Sequence, residues 1–311
     1  MTVATNLRAA QRARFAALDD LLPDMAPSPA GEVLGAALPD GGRVAGTLLR
    51  INHPEGSLPS LWSARQVWEL FPLVGEQAEA GVDALLRGWR GLLDRTPLDA
   101  DSSCVVTWPS RDVTVSMVLL DHGFVPLTVL AMRQPGRAGI PVPKLAPGVT
   151  VRRARLEDLA VATELALDEL AYSANVGGTV LRSDAAELKR IAIRYHLREQ
   201  DPVWIIEQDG IAVGMAECWV TEASVGAAVR FPVPIGRWGY VNTVSVLPGA
   251  RGGGIGQQLM AVAHHDLARH RTIGSYLYYN PANPLSSVFW PRQGYRPVWT
   301  IWECRPANAM R

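Results

Sequence analysis

The alternation of apolar and polar positions is clearest in the second half of the chain. VTVRRA (149–154) alternates as a half-buried strand does, and RLEDLAVATELALDEL after it carries Leu159, Ala162, Ala166 and Leu170 at helical spacing. RSDAAELKRIAIRYHL predicts a second helix with Ser183 as its N-cap, reached through the glycine-bearing loop NVGG (175–178). Two strand-like runs follow, VWIIEQ and IAVGMAECWV, joined by Asp209-Gly210, a pair that accepts the positive φ angles of a tight hairpin. A further strand is predicted over 238–247, then a helix over 255–271 with Leu259, Val262, Ala263 and Leu267 on one face. SYLYY reads as a strand, NPLSSVFWPRQGY as a short helix ended by Gly294, and PVWTIWEC as a last strand. The predicted order is β-α-α-β-β-β-α-β-α-β.

The periodicity breaks at QPGRAGIPVPKLAPG (134–148), where Pro135, Pro141, Pro143 and Pro147 alternate with Gly136, Gly139 and Gly148. Prolines remove donors and glycines loosen the backbone, so 135–148 is expected to be a linker between a domain at 1–134 and another at 149–311. At 311 residues and 48% hydrophobic, the chain is long enough for two cores. Lys plus Arg equals Asp plus Glu at 30 each, so no overall basic field marks nucleic acid or an anionic membrane as partner. No run of eighteen apolar residues is present and the N-terminus has no apolar h-region, so neither a membrane span nor an export signal is expected. Cys104, Cys218 and Cys304 are widely separated and lack metal-ligand spacing. They suit buried thiols in a reducing cytoplasm, with no metal.

The candidate chemistry begins at VLPGARGGGIGQQLM. A strand running into Arg251, Gly252, Gly253, Gly254, Ile255, Gly256 and Gln257 presents unpaired N–H groups at the positive end of a helix, with no Cβ to block close approach. That is the arrangement of a pyrophosphate cradle, in which Arg251 is placed to pair with a phosphate and Gly256 to let the helix sit close to the sheet. A P-loop is excluded by the lack of a Gly-Lys-Ser/Thr ending, and a dinucleotide fold by the strand's position as fourth in its domain. A flexible glycine turn with no ligand is the alternative.

These residues resemble the GCN5-related N-acetyltransferase (GNAT) superfamily. Its Val-x-Pro and Arg/Gln-x-x-Gly-x-Gly/Ala signature matches at Val246, Pro248, Arg251, Gly254 and Gly256, and a second block matches at Asn283, Ser286, Phe289, Trp290, Gly294 and Tyr295. The resemblance implies an α/β (α+β) fold of two tandem GNAT-like domains, each a mixed, mostly antiparallel sheet flanked by helices, the N-terminal one degenerate. It implies acetyl-CoA as co-substrate, with the pyrophosphate on the amides of 251–257, and the pantetheine arm pairing with Val244, Ser245 and Val246. Asn283 and Phe289 would line the arm's far end. A backbone N–H in 244–246 would polarise the thioester carbonyl.

Two departures from the family pattern bear on the proton transfers. The fourth strand carries Asn242 and no acid, which leaves Glu217 and Glu222 on or after the third strand as the nearest candidate bases, a solvated or structural carboxylate being the reading favoured for each, since most strand-end acids are merely solvated. Trp290 stands where relatives often have a tyrosine, and an indole donates a hydrogen bond without giving up its proton; Tyr279 and Tyr295 are candidate substitutes. His264 and His265 are adjacent on a helix and cannot form an i, i+4 metal pair. Trp219 and Trp238 are candidate walls of an acceptor pocket, with core packing as the other reading.

The end of the first half repeats the end of the second. Gly123-Phe124 corresponds to Gly294-Tyr295, an offset of 294 − 123 = 171, and the same offset pairs Asp112 with Asn283. It sets Ala80, Asp83 and Leu85 against Arg251, Gly254 and Gly256, so no phosphate cradle is expected in the first half. The expected activity is N-acetylation of a small-molecule amine or exposed amino group by direct attack on the thioester. A mycothiol synthase-like enzyme, which shares the tandem arrangement, and a non-catalytic acyl-CoA sensor remain alternatives.

Overall fold

The computed structural model describes residues 3–24, 28–134, 143–224 and 233–311. In the first half a helix, α1 (Val3–Leu18), precedes β1 (Glu32–Ala37), β2 (Arg43–Asn52), β3 (Gln66–Leu73), α2 (Ala78–Leu93), β4 (Ser102–Pro109), α3 (Val113–Asp121) and β5 (Val125–Arg133). The second half runs β6 (Val149–Arg153), α4 (Leu159–Asn175), α5 (Ala185–Arg198), β7 (Val203–Gln208), β8 (Ile211–Ala223), β9 (Gly236–Val246), α6 (Ile255–Arg269), β10 (Gly274–Tyr279), α7 (Ser286–Arg292) and β11 (Arg296–Cys304). This is the order that the periodicity predicts. Asp209 and Gly210 both take positive φ, 52° and 80°, as a two-residue hairpin requires. Two boundaries differ: α5 starts after Asp184 rather than Ser183, and α6 stops at Arg269, two residues before Arg271 turns left-handed at φ 58°. Residues 135–142 of the expected linker and 225–232 lie outside the described residues.

All eleven strands join one sheet in the order β1-β2-β3-β4-β11-β5-β10-β9-β8-β7-β6. The pairing is antiparallel except for β3 with β4 and β9 with β10. The 171-residue offset extends through the whole repeat, since β1 and β7 start at 32 and 203 and β5 and β11 at 125 and 296, each difference being 171. The last strands are exchanged. β11 pairs with β4 of the first half and β5 pairs with β10 of the second, and the two pair with each other at the centre. There Thr300 faces Val129, and 300 − 129 = 171, so a pseudo-twofold axis passes through this pair. Its neighbours obey the same symmetry: Ile301 faces Thr128 and Trp299 faces Leu130.

Each exchanged strand contributes to the other half's core. Val298, Trp299 and Trp302 of β11 bury with Trp89, Trp108 and Phe124 of the first half, while Val129 and Ala131 of β5 bury with Leu259, Met260 and Ala263 of α6. Phe15 of α1 packs edge-on against both Trp108 and Trp299, at 5.3 and 5.7 Å. Beyond β11, the amide of Arg311 donates to the His122 carbonyl, which ties the end of the chain to the first half. All three cysteines are buried free thiols, and among the described residues no helix is long and apolar enough to cross a membrane.

Both parallel pairs stop at equivalent points, Leu70 facing Val106 and Val241 facing Leu277, and beyond them the paired strands part. In the first half this opening is plugged. The buried Gln11 of α1 donates from Nε2 to the Pro72 carbonyl at 3.0 Å and accepts from the Val74 amide at 2.8 Å. Helix α2 also starts early: 78 + 171 = 249, six residues before α6 starts at 255. Ala80, Asp83 and Leu85 therefore lie inside a helix, with no glycine loop ahead of it.

Burial pushes the Glu69 carboxyl of β3 up to about 7 from its ordinary 4.5. The unfolded chain ionises as pH rises through 4.5 while the folded chain stays protonated to about 7, so stability should fall across that window. Glu69→Gln should remove this slope and gain roughly 3 kcal/mol at pH 8 with little change at pH 4. Urea unfolding at the two pH values checks both signs.

Candidate functional site

The opening between β9 and β10 becomes a cavity in the second half, of about 670 Å³. Its geometry originates in β9. Glu217 of β8 faces Thr243 and Cys218 faces Val241, so Asn242 is an extra residue, a bulge at the point where β9 leaves β10. From Thr243 to Val246 the strand keeps its bonds to β8 on one edge, and the other edge faces the cavity. Tyr240 to Val246 spans roughly 20 Å of extended chain, long enough for an extended arm to lie alongside.

At one end of this strand lies the glycine loop. Gly252 and Gly254 take left-handed φ angles of 89° and 78°, and Gly254 is the N-cap of α6. A Cβ at Gly252 or Gly253 would meet nothing within 4 Å, so the backbone here is open to a large anion, whereas one at Gly256 would touch Phe289 at 3.4 Å. The exposed Arg251 folds back, its Nε donating to the Val246 carbonyl at 2.8 Å and its guanidinium lying 5.5 Å from the Tyr172 ring centre. Of the predicted cofactor residues, Val244, Ser245, Val246, Arg251, Gly252, Gly254, Ile255, Gly256, Gln257, Asn283 and Phe289 line the cavity; Gly253 is on the same loop but not in its wall. Asn283 also caps α7, its Oδ1 accepting from the amides of Leu285 and Ser286 at 2.9 and 3.1 Å.

The other end is aromatic and acidic. Tyr240, Tyr278, Tyr279 and Asn242 line it, joined by Glu169 and Ser173 of α4 and by Trp62, Leu127 and Thr128 of the first half. The exchange accounts for the last two, because β5 lies beside β10, where Thr128 donates to the Tyr279 carbonyl at 3.0 Å. Burial raises the Tyr279 phenol, which keeps it protonated.

The candidate bases are placed unequally. Glu217 is buried and does not line the cavity; Asn242 stands next to it, donating to its Oε2 at 2.6 Å, while the Tyr240 hydroxyl donates to Asn242 Oδ1 at 3.1 Å. Its other oxygen has no hydrogen-bond partner and lies 4.0 Å from His196. Glu222 is exposed, facing Arg237 on the adjacent strand and away from the cavity wall. Glu169, which the sequence reading missed, is the carboxylate in the wall, accepting from Ser173 at 2.7 Å.

Neither Trp219 nor Trp238 walls the cavity, which leaves the packing reading for both. Trp219 stacks on His196 behind Tyr240, and Trp238 lies deeper along β9, its indole donating to the Pro234 carbonyl. Trp290 does line it, packed on Tyr295. Tyr295 is buried and shares its hydroxyl with His264 and Ser275, outside the wall; burial holds the His264 imidazole neutral, down to about 3.

Residues 199–297 match the family model described as an acetyltransferase (GNAT) domain. That segment of the second half is thus similar to a GNAT acetyltransferase domain. Among solved structures, a GCN5-related N-acetyltransferase from Sphaerobacter thermophilus is 16% identical over 87% of this chain and 80% of its own, with a TM-score of 0.53, which shows the shared fold. One from Kribbella flavida is 16% identical over the whole of both chains at a TM-score of 0.46, and one from Ralstonia eutropha 21% identical over 48% of this chain and 94% of its own at 0.39. No curated protein matches the sequence. The fold is thus a tandem GNAT-like α/β arrangement, and the GNAT match covers the elements from β7 through α7 that build the cavity.

Within the matched segment, Glu217→Leu should leave the Asn242 amide without its short acceptor and cost about 1–3 kcal/mol. Glu217→Gln keeps a carbonyl in reach and should cost less than half as much. Chemical denaturation of both variants checks the order.

Proposed function

We propose that this protein is an acetyl-CoA-dependent N-acetyltransferase that acetylates a primary amine, of a small molecule or an exposed amino group, by direct attack on the thioester. The observation that carries this reading is one continuous cavity that joins the open glycine loop at the start of α6, the free edge of β9 and the polar far end around Asn242. The division at 1–134 and 149–311 is proposed with it, the first unit having no cofactor site of its own and serving as a wall. Its plugged opening and the early start of α2, with no run of glycines ahead of it, support that role.

The residues fit the group they would hold. Backbone amides of 252–257 converge at a helix N-terminus where an anion is favoured, and Arg251 adds a positive charge. The edge of Val244 to Val246 has no partner strand, its Val246 carbonyl being held by Arg251; it suits an amide-containing arm, and a backbone N–H there can stabilise an oxyanion. Bound acetyl-CoA supplies an acetyl thioester, whose carbonyl carbon gains the bond to nitrogen as its bond to sulfur breaks. Glu169 is the carboxylate in the wall and takes a proton from the incoming ammonium. Tyr279, kept protonated by burial, is the phenol in the wall that can return one to the departing thiolate. The wall residues Trp62, Leu127 and Thr128 give the first unit a part in acceptor binding.

A second reading, an acyl-CoA sensor, is favoured by Asn242, whose amide is engaged on both sides where a base would stand. Calorimetric titration with acetyl-CoA should give one site per chain. Gly254→Glu, which forces a side chain into a left-handed position and brings negative charge to the helix start, should weaken binding at least about a hundredfold. Gly253→Ala, whose Cβ meets nothing within 4 Å, should leave the protein folded and binding. Two sites, or none in folded protein, would contradict the proposal; binding without thiol release over a panel of amines would select the sensor.

A further inference from the structure

The reading of the cavity as an acetyl-CoA and amine site, on which this inference rests, leaves the kind of amine open. The charges along the cavity address it. The two arginines of the wall stand on the glycine loop, Arg251, and on α7, Arg292. At the far end the rings of Tyr240 and Tyr278 stand 6.1 Å apart at 75°, forming a corner, with Trp62 also in the wall. A cation is attracted to the faces of such rings and hydrogen-bonds to phenol oxygens.

Two carboxylates, Glu217 and Glu169, act on Tyr240 at this corner. Burial, then the neighbouring tyrosines, then Glu217 and Glu169 raise the Tyr240 phenol, and burial, Tyr276 and Glu69 raise that of Tyr278. Both phenols are thus neutral beside acidic neighbours. The nitrogen side chains close by are already engaged and do not line the cavity: Lys189 lies 4.7 Å over the Trp62 ring and donates to Thr243 Oγ1 at 3.3 Å, and the His196 ring bonds to Asp201 at 2.8 Å.

A corner of this kind stabilises the charged form of a nitrogen, which opposes its deprotonation and attack. It suits a nitrogen that stays charged throughout the reaction. We propose that the acceptor carries a cationic centre besides the nitrogen that is acetylated, and that the Tyr240–Tyr278 corner holds this second charge. Selectivity then comes from the retained charge, with the reacting amine directed toward Glu169 and the β9 edge.

Choline tests the corner alone, because its trimethylammonium has no N–H to acetylate; dimethylbutanol, with carbon in place of the charged nitrogen, is the matched control. Titrated into the full-length protein, choline should bind about tenfold more tightly than dimethylbutanol. Tyr278→Leu should erase that difference, whereas Tyr278→Phe, which keeps the ring, should retain most of it. Acetyl-CoA affinity, measured in parallel, should be the same in all three proteins. Equal affinity for the two probes, or an unchanged preference in Tyr278→Leu, with acetyl-CoA still bound, would overturn the proposal. Should the leucine variant fail to fold, the comparison on the unsubstituted protein decides. Failure of the unsubstituted protein to bind acetyl-CoA would instead strike the underlying reading of the cavity.

Discussion

The antiparallel pairing of β5 with β11 is the constraint on which the rest of the structure depends. Each strand ends one repeat in sequence and completes the other in space, so neither half has a closed sheet without the other's last strand. The hydrophobic consequence is direct: three large side chains of β11 sit in the first core, and Val129 and Ala131 of β5 sit beneath α6 in the second. An internal repeat of this kind behaves like a twofold dimer joined into one chain, with a self-complementary central pair at Val129 and Thr300. The exchange also brings Leu127 and Thr128 to the cavity, which links the packing of the fold to the composition of the site.

Two equivalent openings have diverged from this symmetric frame. The parallel pairs β3·β4 and β9·β10 end at the same point, and the backbone beyond needs a partner for its edge groups. In the first half Gln11 provides it from within the chain. In the second half no strand or helix among the described residues covers the equivalent edge, a bulge at Asn242 redirects the side chains, and the glycine loop ahead of α6 leaves its amides accessible. The difference between a plugged and an open site thus comes down to one helix, one loop and one extra residue in a strand.

The element order of the second half was legible because each strand and helix there keeps its own periodicity, and the glycine loop because few other sequences place so many residues without side chains ahead of a helix. The repeat was legible from its C-terminal third alone. The exchange was not: two strands related by 171 residues carry the same local pattern, and nothing in that pattern says which sheet each will join. For the same reason Leu127 and Thr128 read as ordinary first-half residues. Glu169 was hidden because an acid on an amphipathic helix looks solvated until the neighbouring strand turns out to leave a cavity beside it. Trp219 and Trp238 pack instead of walling the pocket, held by stacking on His196 and by a hydrogen bond to the Pro234 carbonyl.

The central claim is that the two halves are tied by exchanged strands and not by contact between finished domains. It is tested most directly by inserting a protease site after the exposed Lys144, cutting the folded protein there, and measuring by size-exclusion chromatography whether the fragments separate. The account predicts that they elute together as one particle and part only in denaturant, since each carries the strand that completes the other's sheet. Fragments that separate under native conditions and each stay folded would contradict it.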